Sequence, residues 1–495
     1  MFDARSTRRL IILIAVLATC IGGIAAPSMA QMGAAMVGSI TNNAVQQSVQ
    51  SARDRQQSSG TSKSAKADSK ASPAKKGPEL ASAPKQRKEN RKPDSGAPQQ
   101  ATRNPSGVPP AGEQRYVPNE VVIEVAGALS SQQIDALAQR FRLANLESFN
   151  FQLGGTTLVR LRIPDRRSVT TVVRALETDA SVVFAQPNYL FALIQEKTPA
   201  ASPREGETPH YMLEKMRLKE AHQLARGNRV LVAVIDSGID VAHPDLAGDI
   251  ADTFDAIGTG VQIHSHGTAI AGGIAAHGRL LGVAPGAQIL AVRAFAGTGR
   301  ADNGTTFAIM KGLDWAVLHD ARVINMSFSG PQDPGITRGI AAAYGKNVIM
   351  VAAAGNKGAS SPPLFPAADR NVIAVTSTDK EDQLPAFANR GPYVAVAAPG
   401  VDLILLAPND SVQKMSGTSF SAAYVTGTVA LMLERKPALT PDAARQALMK
   451  SAKHLGSQPV DDRSGGGLVD AYQAVLTVAP AEASETLVTP AAKRE

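Results

Sequence analysis

From about residue 210 onward, six short runs are apolar almost without interruption: VLVAVI, QILAVRAF, RVINMSF, NVIMVAAAG, NVIAVTS and YVAVAAPG. A strand with one face in water alternates apolar and polar residues, because successive side chains point to opposite faces. Runs as continuous as these need cover on both faces, which a parallel sheet between layers of helices supplies. Helical stretches separate several of the runs, among them GTAIAGGIAA, GTTFAIMKGLDWAVLHD and GITRGIAAAYGK. Alternation of strand and helix defines an α/β fold. A helix from Ser419 to Arg435 and another opening at Thr440-Pro441, a cap followed by proline at the first helical position, come near the end of this domain.

The preceding stretch reads differently. NEVVIEV is a strand, SSQQIDALAQRF a helix capped by Ser130 or Ser131, ESFNFQL and TTLVRLRI two strands meeting at Gly154-Gly155, SVTTVVRALE a helix and SVVFAQPNYLFAL a last strand. The order βαββαβ is that of a ferredoxin-like domain. The fold class is therefore α/β: a parallel-sheet domain at 210–477 preceded by a small α+β ferredoxin-like domain at 116–194. Between them, 195–209 is a linker, and 478–495 is a loose tail.

The first 30 residues carry Arg5, Arg8 and Arg9, an apolar run from Leu10, and the small residues of SMA ending at Ala30. That is the pattern of a removed signal peptide, and it implies export. The only cysteine, Cys20, leaves with it, so the mature chain relies on no disulfide or cysteine-bound metal. Residues 31–115 are rich in Ser, Ala, Gln and Pro, and Lys and Arg cluster there between Arg53 and Arg115. Such a composition buries too little apolar surface to offset chain entropy and reads as a disordered, solvated linker. Much of the net charge of +8 sits in it, and a basic tether to anionic surfaces is the competing reading.

Parallel sheets bind ligands beyond the carboxyl ends of their strands. Asp236 follows VAVI there, and a buried carboxylate is costly unless a cation or donor meets it. His266 stands at the entrance of an apolar helix. His264 and His277 read as surface or packing residues and His243 as part of a turn; without cysteine or a third spaced ligand, the pair at 264 and 266 does not make a metal site. Ser419 follows Gly417 and Thr418 at the positive end of the helix that begins there. A serine hydroxyl is a weak nucleophile until a base takes its proton. Asn356, ending VAAAGN, is placed to donate to an oxyanion. Asn325 is its competitor and reads as structural, while Thr418 reads as a helix cap.

The blocks VAVIDSGID, HSHGTAIAGGIAA, LGVAPGAQILAVR, INMSFSGP, AAAGN and SGTSFSAAYVTG resemble, in order, those of the subtilisin-like serine proteases (peptidase family S8), over roughly Met212 to Val475. The resemblance implies Ser419 as nucleophile, His266 as base, Asp236 as its orienting partner, and Asn356 with the Ser419 N–H as oxyanion hole. It implies that Ser327, Phe328, Ser329 and Gly330, with Ala353, Ala354 and Gly355, line a cleft that pairs with an extended peptide. The ferredoxin-like domain is similar to that family's propeptide, an intramolecular chaperone and inhibitor, cut off between about Ala192 and Glu205. Departures are Ala423 and Tyr424, where proline and histidine are usual, and Ala269 after HGT. The segment AAHGRLLGVAP is shorter than in relatives with a calcium loop there, so no metal or other cofactor is expected.

These features imply a secreted, monomeric serine endopeptidase made as a self-processing zymogen, extracellular or periplasmic. Its partners are protein or peptide substrates and its own propeptide, not nucleic acid or a stable membrane anchor. The alternative is an inactive binding protein of the same fold. A lipase-like esterase needs glycine two residues after the serine, where Ser421 stands.

Overall fold

The computed structural model describes residues 106–194, 211–260, 263–296 and 303–478. The expected signal peptide, most of the basic linker, the linker at 195–209 and the tail after Val478 lie outside the described residues. Among the described residues, no helix is long and apolar enough to cross a membrane.

The N-terminal domain runs β1 (Tyr116–Ala126), α1 (Ser131–Arg140), β2 (Ala144–Phe151), β3 (Thr156–Arg162), α2 (Val169–Leu176) and β4 (Val182–Leu193). Its strands form an antiparallel sheet in the order β4-β1-β3-β2. Ser130 starts α1 through a reciprocal capping box with Gln133. Alternation along β1 assigns the two faces. Val121, Ile123 and Val125 pack on Ile134, Leu137, Val172 and Leu176 of the helices. Val122 points the other way, into a core shared with the second domain. Residues 106–115, which composition places in the linker, lie against this domain: Ser106 Oγ and Gly107 N bond Glu177 Oε1 at 2.8 and 2.7 Å. Those contacts are mostly polar and backbone, and leave no apolar pattern to read.

The second domain opens with α3 (Tyr211–Lys215) and α4 (Leu218–Leu224). It continues through β5 (Leu231–Asp236), β6 (Ile250–Asp255), α5 (Ser265–Ala275), β7 (Gln288–Arg293), β8 (Asn303–Thr305) and α6 (Thr306–Leu318). Then come β9 (Val323–Met326), β10 (Phe328–Ser329), α7 (Pro334–Gly345), β11 (Ile349–Ala353), β12 (Val372–Thr378) and β13 (Val394–Pro399). The hairpin β14 (Leu403–Ala407) and β15 (Ser411–Met415) leads to α8 (Thr418–Arg435), α9 (Pro441–Ser451) and α10 (Ala471–Val478). Seven strands make one parallel sheet, ordered β13-β12-β11-β9-β5-β7-β6. The six apolar runs supply six of these strands. The seventh, β6, is an edge strand with no fully buried residue, and so carries no such run. Both faces are buried: Val232 and Val234 join the core with α5 and α8, whereas Ala233 and Ile235 join the core with α6 and α7.

The winding direction reverses beside β5, with β7 and β6 on one side and β9, β11, β12 and β13 on the other. Ligands bind at such a reversal, outside the carboxyl ends, and Asp236 is the last residue of β5. Helix α8 crosses this sheet buried from Thr418 through Leu433, and it is continuous past Ala423, whose N–H a proline would have removed.

The open face of the N-terminal sheet lies on α6 and α7. Its side-chain amides cap both helices: Asn188 Oδ1 accepts from Phe307 N at 3.2 Å, and Gln186 Oε1 accepts from Gly335 N at 2.8 Å. Asp333, the buried N-cap of α7, accepts from Gln186 Nε2 at 2.8 Å and from Thr306 Oγ1 at 2.6 Å. Burial pushes its carboxyl above the usual range, against those hydrogen bonds. At the rim, Glu124 pairs with Arg338, whose guanidinium lies 3.9 Å from the centre of the Phe184 ring. Replacing Gln186 by alanine removes a hydrogen bond to a buried carboxylate. It is expected to cost about 1.5–3 kcal/mol in the urea unfolding of an uncut chain carrying Ser419→Ala.

Candidate active site

The carboxylate of Asp236 leaves β5 fully buried, yet it is not unpaired. His266 Nδ1 lies 2.8 Å from Asp236 Oδ1 and 3.0 Å from Oδ2, and Ser237 donates to Oδ1 through its N–H at 2.7 Å and its Oγ at 3.0 Å. Such a carboxylate is an acceptor for an imidazole N–H, which leaves the other ring nitrogen, Nε2, as the one facing outward. His266 sits in the first turn of α5, where its own N–H donates to His264 Nδ1 at 3.2 Å. His264, expected as a surface or packing residue, is thus the cap that fixes this turn. His243 is the turn residue expected, capping the short 3-10 helix Pro244–Leu246, and His277 pairs with Asp249 at 2.7 Å.

Ser419 is the second residue of α8, fully buried. Its Oγ bonds to the carbonyl oxygen of Ile194, the residue just past β4, and lies 3.1 Å from Ser327 O. His266 Nε2 lies 3.4 Å from the same Ile194 oxygen. Imidazole and hydroxyl therefore converge on one carbonyl; among the described residues no hydrogen bond joins Oγ to Nε2 directly. The other serines of this segment are committed elsewhere: Ser421 Oγ to Ser377 Oγ and Ala398 O, and Ser416 Oγ to Asp402 N.

Asn356 follows β11 through Gly355, where a φ of +119° and Asn389 Nδ2, which would stand 2.5 Å from an added Cβ, exclude a side chain. The Asn356 amide is oriented from its oxygen side. Oδ1 accepts from Thr418 N at 3.1 Å and from Thr418 Oγ1 at 2.9 Å. That leaves Asn356 Nδ2 buried without a partner. Thr418, read from sequence as a cap, instead orients this amide, and Gly417 caps the helix without a side-chain bond. Asn325 is tied to Thr426 and Ser327, as expected of a structural residue.

The chain's own β4 fills the cleft. Phe328 pairs with Leu193 and Ser329 with Ala192, and Ile194 N donates to Ser327 O at 3.3 Å. On the other edge, β8 pairs Thr305, Gly304 and Asn303 with Leu190, Phe191 and Ala192. The sequence carried no signal for β8, a strand of three residues. Ser327 through Gly330 thus touch the segment in the cleft. Ala353 and Ala354 are buried at the end of β11, where the Ala354 carbonyl accepts from Asn389 and Tyr393. Among the described residues, one group has the makings of a metal site, His243, Asp245 and Asp410. It does not fit calcium, which takes six to eight oxygens: Asp245 Oδ2 already accepts from Leu280 N, and Asp410 from Arg279.

The sequence matches the model of the Subtilase family over residues 227–467, and that of the fervidolysin N-terminal prodomain over 102–188. Thermophilic serine proteinase from Bacillus sp. (strain AK1) is 35% identical over 274 residues, 54% of this chain and 66% of the relative. Subtilisin E from Bacillus subtilis (strain 168) is 32% identical over 58% of this chain and 74% of its own length. Thermitase from Thermoactinomyces vulgaris is 33% identical over 54% of this chain and 95% of its own length. The chain spans only half of another relative, minor extracellular protease Epr of Bacillus subtilis (strain 168). Among solved structures, fervidolysin from Fervidobacterium pennivorans, a keratinolytic enzyme related to subtilisin, shares the fold. The TM-score is 0.62 at 23% identity, over 73% of this chain and 61% of that one.

Proposed function

The chain belongs to the subtilase family, and on that premise we propose that it is a serine endopeptidase, made as a zymogen that processes itself and is then held by its own prodomain. The observation that carries the reading is the Ile194 carbonyl, which meets Ser419 Oγ and His266 Nε2 while His266 Nδ1 faces the buried Asp236.

In this reaction Ser419 Oγ attacks a peptide carbonyl carbon and its proton passes to His266 Nε2. The imidazolium formed is stabilised by Asp236. The carbonyl oxygen, now negative, takes the free Nδ2 donor of Asn356 and the Ser419 N–H. His266 returns the proton to the leaving amine as the C–N bond breaks. Water then cleaves the acyl ester by the same relay, which restores the hydroxyl. None of these steps needs a metal or cofactor. The apolar leader and the resemblance to a relative named as an extracellular protease support secretion, and the enzyme acts as a monomer on protein or peptide substrates.

A fluorophosphonate probe tests the reading: label on Ser419 of the processed enzyme supports it, and an unlabelled, folded protein that cuts no peptide overturns it. Asn356→Ala is expected to lower kcat by about 100- to 1,000-fold with KM little changed, the loss known for such a donor in a subtilisin itself. Steady-state kinetics on a peptide substrate measures it.

A further inference from the structure

We infer that the bond on the carboxyl side of Ile194 is the one the protein cuts in itself, and that Phe191, three residues earlier, selects it. This rests on the protease reading above and names the site at which it first acts. The zymogen reading leaves the bond open anywhere from about Ala192 to Glu205, and the geometry narrows it to one.

The first reason is position. The Ile194 carbonyl is the one within reach of both Ser419 Oγ and His266 Nε2. The second is register. β4 runs unbroken from the N-terminal sheet into the cleft, where β8 and β10 hold it on both edges. Along a strand a slip of one residue turns every side chain to the opposite face. Here that slip has a large cost. Phe191 is buried (1% exposed) edge-on against Phe328, with ring centres 5.9 Å apart, while its neighbour Ala192 is exposed. Gly330 makes the room, since a Cβ there would stand 2.4 Å from Phe191 Cδ1. Ile194, three residues on, is buried at 5% exposure. Seating the Phe191 ring therefore sets which carbonyl lies on Ser419.

The step balances as an ordinary hydrolysis. Ser419 Oγ bonds the Ile194 carbonyl carbon, the bond to the next residue's nitrogen breaks, and that nitrogen takes the proton from His266. Water then releases Ile194 as a free carboxylate and returns the proton to Ser419 Oγ. The ladders to β8 and β10 do not involve the broken bond, so the new chain end stays in the cleft as a product inhibitor.

The test follows the full chain after synthesis, with the masses of both fragments read at the earliest times, before secondary trimming. The expected N-terminal fragment ends at Ile194 and its partner begins at Gln195, a cyclised N-terminal glutamine counting as the same end. A Ser419-dependent cut at any other bond overturns the assignment and leaves the protease reading standing. The same cut in a Ser419→Ala chain overturns both. Inserting one alanine after Ala192 tests the role of Phe191: the cut is expected to move to the bond after Leu193, still three residues past Phe191. A cut that stays after Ile194 overturns selection by Phe191. In the uninserted chain, Phe191→Ala is expected to slow the first cut by about 10-fold or more, and Ala192→Ser, on the exposed side, by less than about 2-fold. Equal rates for the two would also overturn it.

Discussion

Replacing Ser419 by alanine is expected to leave the chain in one piece, with its N-terminal domain attached and its cleft filled. The substitution removes one oxygen from a packed position at the start of α8 and keeps the helix, so the fold should survive it. What disappears is the nucleophile: neither Asp236 nor His266 can form the acyl ester. In subtilisin itself, loss of this group lowers kcat by about a million-fold. Processing should stop at any practical time, and a gel of the purified chain would show a single uncut band. The surrounding hydroxyls will not substitute, because Ser416 and Ser421 are bonded to Asp402 and to Ser377 and Ala398. Maturation of the Ser419→Ala chain at the normal rate, with no active enzyme added, would sink self-processing by this residue.

Asp236→Asn is expected to be severely damaging too, although it changes one atom and leaves the packing intact. The native carboxylate takes His266 Nδ1–H between its two oxygens, 2.8 Å from Oδ1 and 3.0 Å from Oδ2, and takes the Ser237 N–H and Oγ on Oδ1. With Ser237 N–H held on the amide oxygen, the asparagine NH2 would face Nδ1. The imidazole would then carry its proton on Nε2 and could not accept one from Ser419. The same exchange in a trypsin-like triad lowers kcat by about 10,000-fold. The imidazolium would also lose its counter-charge in a buried site. Steady-state kinetics on pre-cut enzyme would show this as a fall in kcat, and a loss confined to KM would contradict it.

Where the sequence was legible, it was so through local periodicity. The six apolar runs announced a sheet covered on both faces because each side chain of a buried parallel strand meets an apolar partner, whatever the rest of the chain does. The βαββαβ order of the N-terminal domain and the caps at Ser130 and Thr440 are local in the same sense. Asp236, His266, Ser419 and Asn356 stood out because each follows a strand or opens a helix, the places where a fold exposes polar groups to one another. The weaker elements escaped for the converse reason. β6 is an edge strand with little to bury, and β8 exists as a strand because β4 lies beside it.

The chain by itself fixed its class, the order of its two domains and the residues proposed to carry the chemistry, since these follow from patterns spanning a few turns or strands. Tertiary structure alone decided that the amide of Asn356 keeps its nitrogen buried and unpartnered while Thr418 occupies its oxygen. It alone decided that the Ile194 carbonyl reaches a serine 225 residues away. No local preference encodes such a meeting. It comes from packing a phenylalanine against Phe328 and two amides onto helix ends, which fixes the register of β4 as a whole.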